Sequence, residues 1–375
     1  MTSLMLPTHT CVRTTMVYAA SMLALSSCSD KPGPTGTTTP IPPEARWVVP
    51  SALKATGSLI NVTSATDSVY VVSGVSELVA HRTSDGTVLW KRSDVPTLMP
   101  LIVGDSLFLA LIGGQTAAVR LRDGSVKWRG NVPGDAFAVY PVQSGNSAIV
   151  TNAVGDVFAV DLATGSTRLL ATMTALAGGA GSVWALLAIA DTTIVMSQLD
   201  SGQGRGAITA TRVVTTTGAI LSRAVLPFVT LEFLTAQREF LVDSLVIVPV
   251  SGGVTAMNFR TGMRAWSSRL NSTGIAVRNG AVYSGSGTGD ITVLDASTGR
   301  VLRRLGTSGV VAGGILDEYP CREGVFFTSG ELWVVADVAG ATPHRVYQDL
   351  FSLFAYNGST LFASALKHEL ALRCS

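Results

Sequence analysis

The sequence Gly-Asp-Val-Phe-Ala-Val-Asp-Leu-Ala-Thr-Gly spans residues 155–165, and Gly-Asp-Ile-Thr-Val-Leu-Asp-Ala-Ser-Thr-Gly spans residues 289–299. Each stretch begins at a turn, continues through strand-forming residues and ends in Thr-Gly. A closing glycine allows the positive φ that a tight hairpin needs, so each stretch predicts a strand that leads into a hairpin turn. The same eleven-residue register holds for three further stretches: residues 76–86, 114–124 and 252–262.

A second strand follows each closing glycine, and tryptophan stands four positions after three of these glycines. These tryptophans are Trp90, Trp128 and Trp266. In two other units the position holds Leu169 or Phe362. A polar turn such as residues 105–106 precedes each stretch and separates two further apolar strands, which predicts four strands per unit.

The closing glycines recur about every 40 residues along the chain. They are Gly86, Gly124, Gly165, Gly218, Gly262, Gly299 and Gly358. A period of about 40–45 residues with four strands per unit is typical of a β-propeller, in which each unit forms one blade. The sequence therefore predicts an all-β fold, a propeller of four-stranded blades. Seven units fit directly, and the chain ends leave room for an eighth, because residues 45–49 with Trp47 would form an outer strand.

The composition fits this class and excludes some functions. The 375 residues include 38 glycines, and 14% of the residues are charged, with a formal net charge of +2. This balance gives no sign of a nucleic-acid partner, since proteins that bind nucleic acids carry a basic surface. Residues 169–190 carry no charge over a membrane-spanning length, but glycines interrupt them between two units. We interpret them as a junction between blades.

The N-terminus has the features of a targeting segment. A single Arg13 precedes an apolar run, and Leu-Ser-Ser-Cys then ends at Cys28. This resembles the bacterial lipobox, in which the cysteine is lipidated and becomes the new N-terminus; the alternative is an ordinary signal peptide. Residues 1–27 are thus predicted to be a lipoprotein signal peptide. Residues 28–45, rich in proline and threonine, are predicted to be a tether, and residues 46–375 the propeller.

Two cysteines remain in the predicted mature domain, Cys321 and Cys374. In an oxidising compartment outside the cytoplasm, two cysteines suggest one disulfide, which would tie the last residues to the last structural unit. The alternative is a pair of free thiols.

The repeat resembles that of the quinoprotein (PQQ-type) propeller family, whose hallmark is Ala-x-[Asp/Asn]-x-x-Thr-Gly-x-x-x-Trp. The complete pattern is matched by Ala256, Asn258, Thr261, Gly262 and Trp266. The acidic position and closing glycine are matched by Asp161 with Gly165 and by Asp295 with Gly299, and the aromatic position by Trp90 and Trp128. The resemblance covers roughly residues 46–366 and implies that these residues are structural, the tryptophans packing blade against blade and the carboxylates capping turns.

Within this family the layout is similar to that of the lipid-anchored propellers of the outer-membrane β-barrel assembly machine. That resemblance implies a non-catalytic scaffold that binds protein partners and attaches to the membrane through its N-terminal lipid. It also implies an outer-membrane lipoprotein of the bacterial envelope that faces the periplasm, and Ser29 after Cys28 favours outer-membrane sorting. Those relatives have eight blades, whereas seven are counted directly here. Residues 202–206 and 337–345 are the candidate contact loops.

Two alternatives remain, an envelope propeller that binds or senses a glycan, peptide or small molecule, and a degenerate PQQ-dependent dehydrogenase. The dehydrogenases of this family need a catalytic aspartate, ligands for Ca²⁺ and a vicinal disulfide. The chain has four cysteines but no adjacent pair. We therefore predict no enzymatic activity, no catalytic residues, no metal site and no cofactor, and we interpret His81, in a blade strand, as structural.

Overall fold

The computed structural model describes most of the chain from Ala45 onward. The described residues are 45–51, 61–73, 77–94, 99–134, 141–200, 205–226, 241–250, 252–270, 274–285, 290–306, 319–321, 324–328, 331–347, 351–357, 359–365 and 368–374. The predicted signal peptide and tether, including Cys28, lie outside these residues apart from Ala45. Within the described part of the chain, no helix is long and apolar enough to cross a membrane.

The described strands form eight antiparallel sheets of four strands, which are the blades of a propeller. The first strand in the chain, β1 (Ala45–Pro50), belongs to the last blade. Blade 1 contains β2 (Asn61–Ala65), β3 (Val69–Ser73), β4 (Leu78–Arg82) and β5 (Val88–Arg92). Blade 2 contains β6 (Met99–Val103), β7 (Ser106–Ala110), β8 (Gln115–Arg120) and β9 (Val126–Asn131), with a 3₁₀ turn at Ile112–Gly114.

The middle of the chain supplies the next three blades. Blade 3 contains β10 (Val142–Ser144), β11 (Ser147–Thr151), β12 (Val157–Asp161) and β13 (Thr167–Ala171), followed by the short helix α1 (Met173–Ala177). Blade 4 contains β14 (Gly181–Ile189), β15 (Thr192–Asp200), β16 (Arg205–Val214) and β17 (Ile220–Leu226). Blade 5 contains β18 (Leu241–Val242), β19 (Leu245–Val250), β20 (Gly253–Asn258) and β21 (Arg264–Arg269).

The last three blades complete the ring. Blade 6 contains β22 (Gly274–Arg278), β23 (Ala281–Gly285), β24 (Asp290–Asp295) and β25 (Val301–Gly306). Blade 7 contains β26 (Tyr319–Cys321), β27 (Gly324–Thr328), β28 (Leu332–Val335) and β29 (His344–Tyr347). Blade 8 contains β30 (Phe351–Tyr356), β31 (Thr360–Ala365) and β32 (His368–Arg373), and β1 is its outer strand.

The all-β propeller of four-stranded blades is confirmed, but the direct count of seven blades is wrong. Blade 7 was missed because the turn between its last two strands carries no Thr-Gly, so the interval from Gly299 to Gly358 hides a complete sheet. Phe362 is also misplaced by the prediction, because it lies on β31, the second strand of its blade. The outer strand of this blade is β1, and its aromatic residue is Trp47, which pairs with Ala371 of β32.

Packing of sheet against sheet explains the strand sequences. All five residues of β3 and all five of β7 are buried, as expected for strands covered on both faces. The outer strand β21 instead alternates, and Trp266 is its one fully buried residue. The inner and middle strands are therefore almost continuously apolar. An outer strand such as β21 is instead mostly polar, with one large buried side chain.

Carboxylates and amides cap the turns that lead into the outer strands. Oδ1 of Asp295 accepts hydrogen bonds from the backbone N–H of Ser297 and Thr298 and from both hydroxyls, at 2.7–3.1 Å. Asp161 and Asn258 accept equivalent bonds from the backbone N–H groups two and three positions after them. These bonds favour the charged carboxylate, and the hydroxyls and N–H groups of Ser297 and Thr298 lower the pKa of Asp295 to about 2.

This capping predicts a pH dependence at the blade 6 turn. Because the folded pKa of Asp295 lies below the unfolded value of about 3.9, its stabilising contribution is complete above that value and disappears as pH falls toward 2. The side-chain carboxyl carbon of Asp295 should titrate by NMR with a midpoint near 2. A midpoint at or above 3.9 would show that the cap is not formed. In Asn258, the uncharged equivalent, no such titration can occur.

The alternating strand directions divide the turns between two rims. The first and second strands of each blade are joined at one rim, as are the third and fourth; we call this the tight-turn rim. It carries two-residue turns such as residues 104–105, 243–244 and 279–280. The opposite rim, the loop rim, carries the connections between blades, the longest of which join β17 to β18 and β25 to β26. Ala45, where the chain joins the ring, is at the tight-turn end of β1.

Candidate functional site

The repeat tryptophans lie between blades and not on a ligand surface. In each of four outer strands, the indole N–H donates to a backbone carbonyl in the turn of the next blade, at 2.6–3.0 Å. The pairs are Trp47 with Thr83, Trp90 with Leu121, Trp128 with Leu162 and Trp266 with Ala296. The hydrogen bond and the burial together make each tryptophan a structural anchor between neighbouring blades.

Each indole ring packs against the closing glycine of the next blade. A Cβ atom at Gly165 or Gly299 would stand 2.5 Å from an indole carbon of Trp128 or Trp266, which no side chain could tolerate. Gly86 and Gly124 have the same relation to Trp47 and Trp90. We call this combination of glycine and carbonyl an indole seat. The closing glycine of one repeat is therefore required by the tryptophan of the repeat before it.

The residue paired with the tryptophan across the last two strands is always alanine. The pairs are Ala371–Trp47, Ala80–Trp90, Ala118–Trp128 and Ala256–Trp266. In the other four blades the alanine is replaced by a larger residue, in the pairs Phe158–Leu169, Arg212–Ser222, Val293–Arg303 and Trp333–Arg345. The two positions share one volume between neighbouring blades, and a large residue on either strand can fill it.

The junction between blades 4 and 5 fills this volume least completely. Ser222 stands in the tryptophan position, and its hydroxyl donates to the carbonyl of Phe259 at 3.3 Å, the bond that an indole makes elsewhere. A small cleft of about 10 Å³, room for about one water molecule, remains there. It is lined by Ile194, Ala210, Arg212, Ser222, Ala224, Val246, Met257, Phe259 and Gly262. Gly262 has the positive φ of the other closing glycines, but the backbone of Arg223 and the Cβ atom of Ala224, and not an indole, lie closest to its Cβ position.

A buried polar cluster joins the two ends of the ring at the junction of blades 8 and 1. Glu369 is fully buried and accepts hydrogen bonds from the Tyr70 hydroxyl at 2.6 Å and from the Ser51 hydroxyl at 3.1 Å. Nε2 of His81 lies 3.2 Å from the same carboxylate, and Nδ1 of His81 donates to the carbonyl of Gly86. Burial, and then the nearby Glu369 carboxylate, raise the pKa of the Tyr70 phenol above its usual range.

This cluster has the residue types of an acid–base site but not its accessibility. The side chains of His81 and Glu369 are each 1% exposed, and the Tyr70 ring is stacked between His81 and Phe362 at centroid distances of 4.7 and 4.8 Å. A substrate could not reach these groups without opening the ring, so their arrangement serves closure. Among the described residues, no group of three or more histidine, cysteine, aspartate or glutamate side chains could hold a metal ion.

The predicted cysteine pair lies on the tight-turn rim. A disulfide joins Cys321, at the end of β26, to Cys374, directly after β32, with 4.6 Å between the Cα atoms. Cys374 is fully buried, and its N–H donates to the carbonyl of Ser359. The bridge therefore fixes the last residues of blade 8 to the neighbouring blade.

The two candidate contact loops lie on opposite rims. Residues 202–206 fall in the β15–β16 hairpin at the loop rim, and residues 202–204 are outside the described part of the chain. Residues 337–345 form the tight turn of blade 7 and enter β29. There, Asp337 accepts a hydrogen bond from Tyr283 at 2.8 Å and pairs with Arg303, and burial and this bond raise the pKa of Tyr283 to about 12. Asp337 is thus a link between blades 6 and 7.

Sequence reasoning missed the closing cluster and the pair Arg212–Ser222 that replaces alanine and tryptophan in blade 4. This replacement has a signal in the sequence, because an alanine precedes Trp90, Trp128 and Trp266 by ten residues, whereas Arg212 precedes Ser222 by the same interval. The closing cluster has no such signal. Glu369, Tyr70 and Ser51 are distant in sequence, and they meet only because β1 joins blade 8.

The blade architecture and the indole seats define a propeller of the quinoprotein repeat type. The family model described as outer membrane protein assembly factor BamB matches residues 43–229 and 250–346, about three quarters of the chain. The chain belongs to this family. Comparison with curated protein sequences gives no match.

Solved structures show the same fold. The crystal structure of BamB from Moraxella catarrhalis is similar over 87% of this chain and 100% of that chain, with a TM-score of 0.63 and 15% identity. Quinohemoprotein alcohol dehydrogenase ADHIIG from Pseudomonas putida HK5 is similar over 88% of this chain and 76% of that one (TM-score 0.63, 11% identity). Dihydro-heme d1 dehydrogenase NirN is similar over 83% and 74% (TM-score 0.62, 14% identity). At such identities these neighbours establish the fold alone.

Proposed function

We propose that this protein is a non-catalytic scaffold of the bacterial envelope that binds protein partners during the assembly of outer-membrane β-barrel proteins. The observation that carries the proposal is the match to the outer-membrane assembly factor family across about three quarters of the chain. Propellers commonly present a rigid ring of loops to their partners, and the anchored blades described above provide that rigidity.

The proposed attachment is a lipid on Cys28, facing the periplasm. Support comes from the Leu-Ser-Ser-Cys sequence, from Ser29 and from the proline-rich stretch that follows. The chain enters the ring at Ala45, at the tight-turn rim, so a tether of residues 28–45 would hold the protein from that rim. The loop rim would then be the one available to partners.

Two features of the loop rim support its role in partner binding. In blade 4, β15 and β16 have nine and ten residues, longer than the five or six common in other blades, so these two strands extend further at this rim. The family match is interrupted at residues 230–249, which include most of the loop-rim connection between blades 4 and 5 and the first two strands of blade 5. Long and variable connections are where binding residues concentrate.

Quinoprotein catalysis is the alternative suggested by the dehydrogenase neighbours. We propose that it is absent, because the vicinal disulfide of those enzymes has no counterpart among the four cysteines. Cys321 and Cys374 are joined to each other. Independent binding of a glycan, peptide or small molecule is the other alternative, and the identity of the partner decides between it and assembly.

Two exposed valines provide a matched test of partner and rim. Val154 is 63% exposed in a turn of blade 3 at the loop rim, and Val338 is 64% exposed in a turn of blade 7 at the tight-turn rim. A tagged protein should recover a large outer-membrane barrel subunit from detergent-solubilised membranes, identified by mass spectrometry. Val154→Arg should reduce that recovery about tenfold, which corresponds to about 1.4 kcal/mol, and Val338→Arg should not.

The variants also separate the possible failures. Absence of any barrel subunit, while other envelope complexes survive the detergent, contradicts the assembly role. If recovery of the barrel subunit falls with Val338→Arg but not with Val154→Arg, the contact lies on the tight-turn rim, which contradicts the proposed use of the loop rim. Cys28→Ala should leave the protein soluble after cell fractionation, and unchanged membrane attachment would contradict the lipid anchor.

A further inference from the structure

The protonation of His81, at the junction of blades 8 and 1, follows from what its two ring nitrogens face. Nδ1 lies 3.0 Å from the backbone carbonyl oxygen of Gly86, which can only accept a hydrogen bond, so Nδ1 carries a hydrogen. Nε2 lies 3.2 Å from Oε2 of Glu369. In a neutral ring with its hydrogen on Nδ1, Nε2 is an acceptor. A neutral His81 would therefore place two acceptors against each other.

Burial makes that arrangement costly. The side chains of His81 and Glu369 are almost fully buried, so water cannot separate the two acceptors. Within the described part of the chain, Nε2 meets no atom in hydrogen-bond geometry. Its contact with Glu369 is therefore stabilising only as a pair of opposite charges, and this pair requires a hydrogen on both nitrogens of the ring.

Two hydroxyl donors hold Glu369 in its charged form. The Tyr70 hydroxyl donates to Oε2 at 2.6 Å, and the Ser51 hydroxyl donates to Oε1 at 3.1 Å. Hydrogen bonds of this kind favour the ionised carboxylate over the acid. Tyr70 keeps its own proton, because burial and the nearby carboxylate raise the pKa of its phenol above the usual range. The additional proton therefore belongs to the imidazole, and the pair is neutral overall.

The strands around the pair contribute one phenol, two uncharged rings and one further histidine. Tyr70 comes from β3, and Trp47 from β1 and Phe362 from β31 stack against its ring at centroid distances of 5.6 and 4.8 Å. His368 precedes Glu369 on β32. Because successive side chains of a strand point to opposite faces, His368 lies on the other face of β32. It is the titratable neighbour from which the pair has to be distinguished.

The pair connects strands that meet only when the ring closes. His81 is on β4 of blade 1, and Glu369 is on β32 of blade 8. When the junction opens, His81 enters water, where a histidine is mostly neutral above about pH 6.5. Closure above that pH therefore takes up one proton. By linkage, the contribution of the pair is complete below about pH 6.5 and is lost as pH rises, by at most tenfold per pH unit in the closure equilibrium.

We propose that His81 is an imidazolium ion in the closed ring and that the junction of blades 8 and 1 is a pH-sensitive fastening, which loosens when this proton is lost. The strand that loosens is β1, which pairs with β32 and continues from the proposed tether. The inference concerns contacts within the ring alone. It therefore depends neither on the lipid at Cys28 nor on the identity of a partner.

Hydrogen exchange of the full-length protein in detergent measures the fastening. The backbone amides of β1 are compared with those of β19, which lies in blade 5 on the far side of the ring. After correction for the intrinsic pH dependence of exchange, the protection of β1 should fall several-fold between about pH 7 and about pH 8, and that of β19 should stay constant. Unchanged protection of β1, or an equal fall in both strands, overturns the proposal.

Two variants of similar shape separate the proton from the packing. In Glu369→Gln the new amide can donate to a neutral His81, and in His81→Gln the new amide can donate to the carboxylate without titrating. Both variants should remove the pH-dependent fall in β1 protection, whatever their overall stability. His368→Gln is the matched control and should retain the fall. Retention of the fall in His81→Gln, with its loss in His368→Gln, assigns the effect to the neighbouring histidine and overturns the proposal.

Nitrogen-15 NMR of the native protein tests the charge directly and stands even if the variants do not fold. In protein labelled at histidine, both ring nitrogens of His81 should carry a hydrogen at about pH 7, whereas a histidine in water is mostly neutral there. His344→Gln and His368→Gln identify the signals of the other two histidines of the predicted mature chain. A neutral His81 ring in the folded protein at about pH 7 overturns the proposal.

Discussion

Trp266→Ala should lower the free energy of unfolding by about 3–5 kcal/mol, the usual cost of removing a large aromatic side chain from a core. Trp266 is 9% exposed, its indole N–H donates to the carbonyl of Ala296 at 3.0 Å, and its ring covers Gly299. The substitution opens a cavity between blades 5 and 6. It also leaves the Ala296 carbonyl without its indole donor. Chemical denaturation followed by circular dichroism measures the loss.

The chain contains a control at the equivalent position of the preceding blade. Ser222 makes the corresponding hydrogen bond, to the carbonyl of Phe259, but fills little volume. Ser222→Ala should therefore cost no more than about 1–1.5 kcal/mol, the value of one hydrogen bond. Equal losses in the two variants, or an unchanged stability after Trp266→Ala, would contradict the role of the indole as an anchor.

Removal of the disulfide should lower the stability by roughly 4 kcal/mol. Cys321 and Cys374 are separated by 53 residues, and a cross-link across a loop of that length restricts the unfolded chain by about this amount. The double variant Cys321→Ser with Cys374→Ser should show the loss in chemical denaturation. Cys374 is buried directly after β32, so we expect the end of the chain to separate from blade 8 more easily in this variant.

Reduction provides the matched experiment. Dithiothreitol should destabilise the native protein to the level of the double variant and should leave the stability of the variant unchanged. If the native protein and the variant unfold at the same denaturant concentration under oxidising conditions, the bridge is not formed in solution. A loss in the variant without any effect of reductant on the native protein would indicate damage from the serines instead.

Much of the fold could be predicted because each junction between blades uses residues that recur in the repeat. These are the tryptophan of one blade and the closing glycine of the next. Within a repeat the tryptophan stands four positions after the closing glycine, so Trp90, Trp128 and Trp266 identify their blades directly. Blade 7 was not recognised because it has neither the Thr-Gly turn nor a tryptophan on its outer strand. Its tryptophan, Trp333, lies on the third strand instead of the fourth, where Arg345 pairs with it.

The candidate site was less predictable, for a physical reason. The closing cluster depends on contacts between residues about 300 positions apart, Tyr70 with Glu369 and Ser51 with Glu369. No local pattern reports such contacts. Ser222 takes the outer-strand position at which four other blades have tryptophan. A serine in an outer strand gives no signal until these equivalent positions are known from the structure.

The attachment of β1 to blade 8 has a mechanical consequence. Residue 44 is joined directly to β1, which pairs with blade 8 from the opposite end of the sequence. Any tension on the chain ahead of Ala45 is therefore carried first by the β1–β32 ladder, by Trp47 against Gly86 and by Ser51 against Glu369. Under such a load we expect the junction of blades 8 and 1 to separate first, while the other seven blades remain folded.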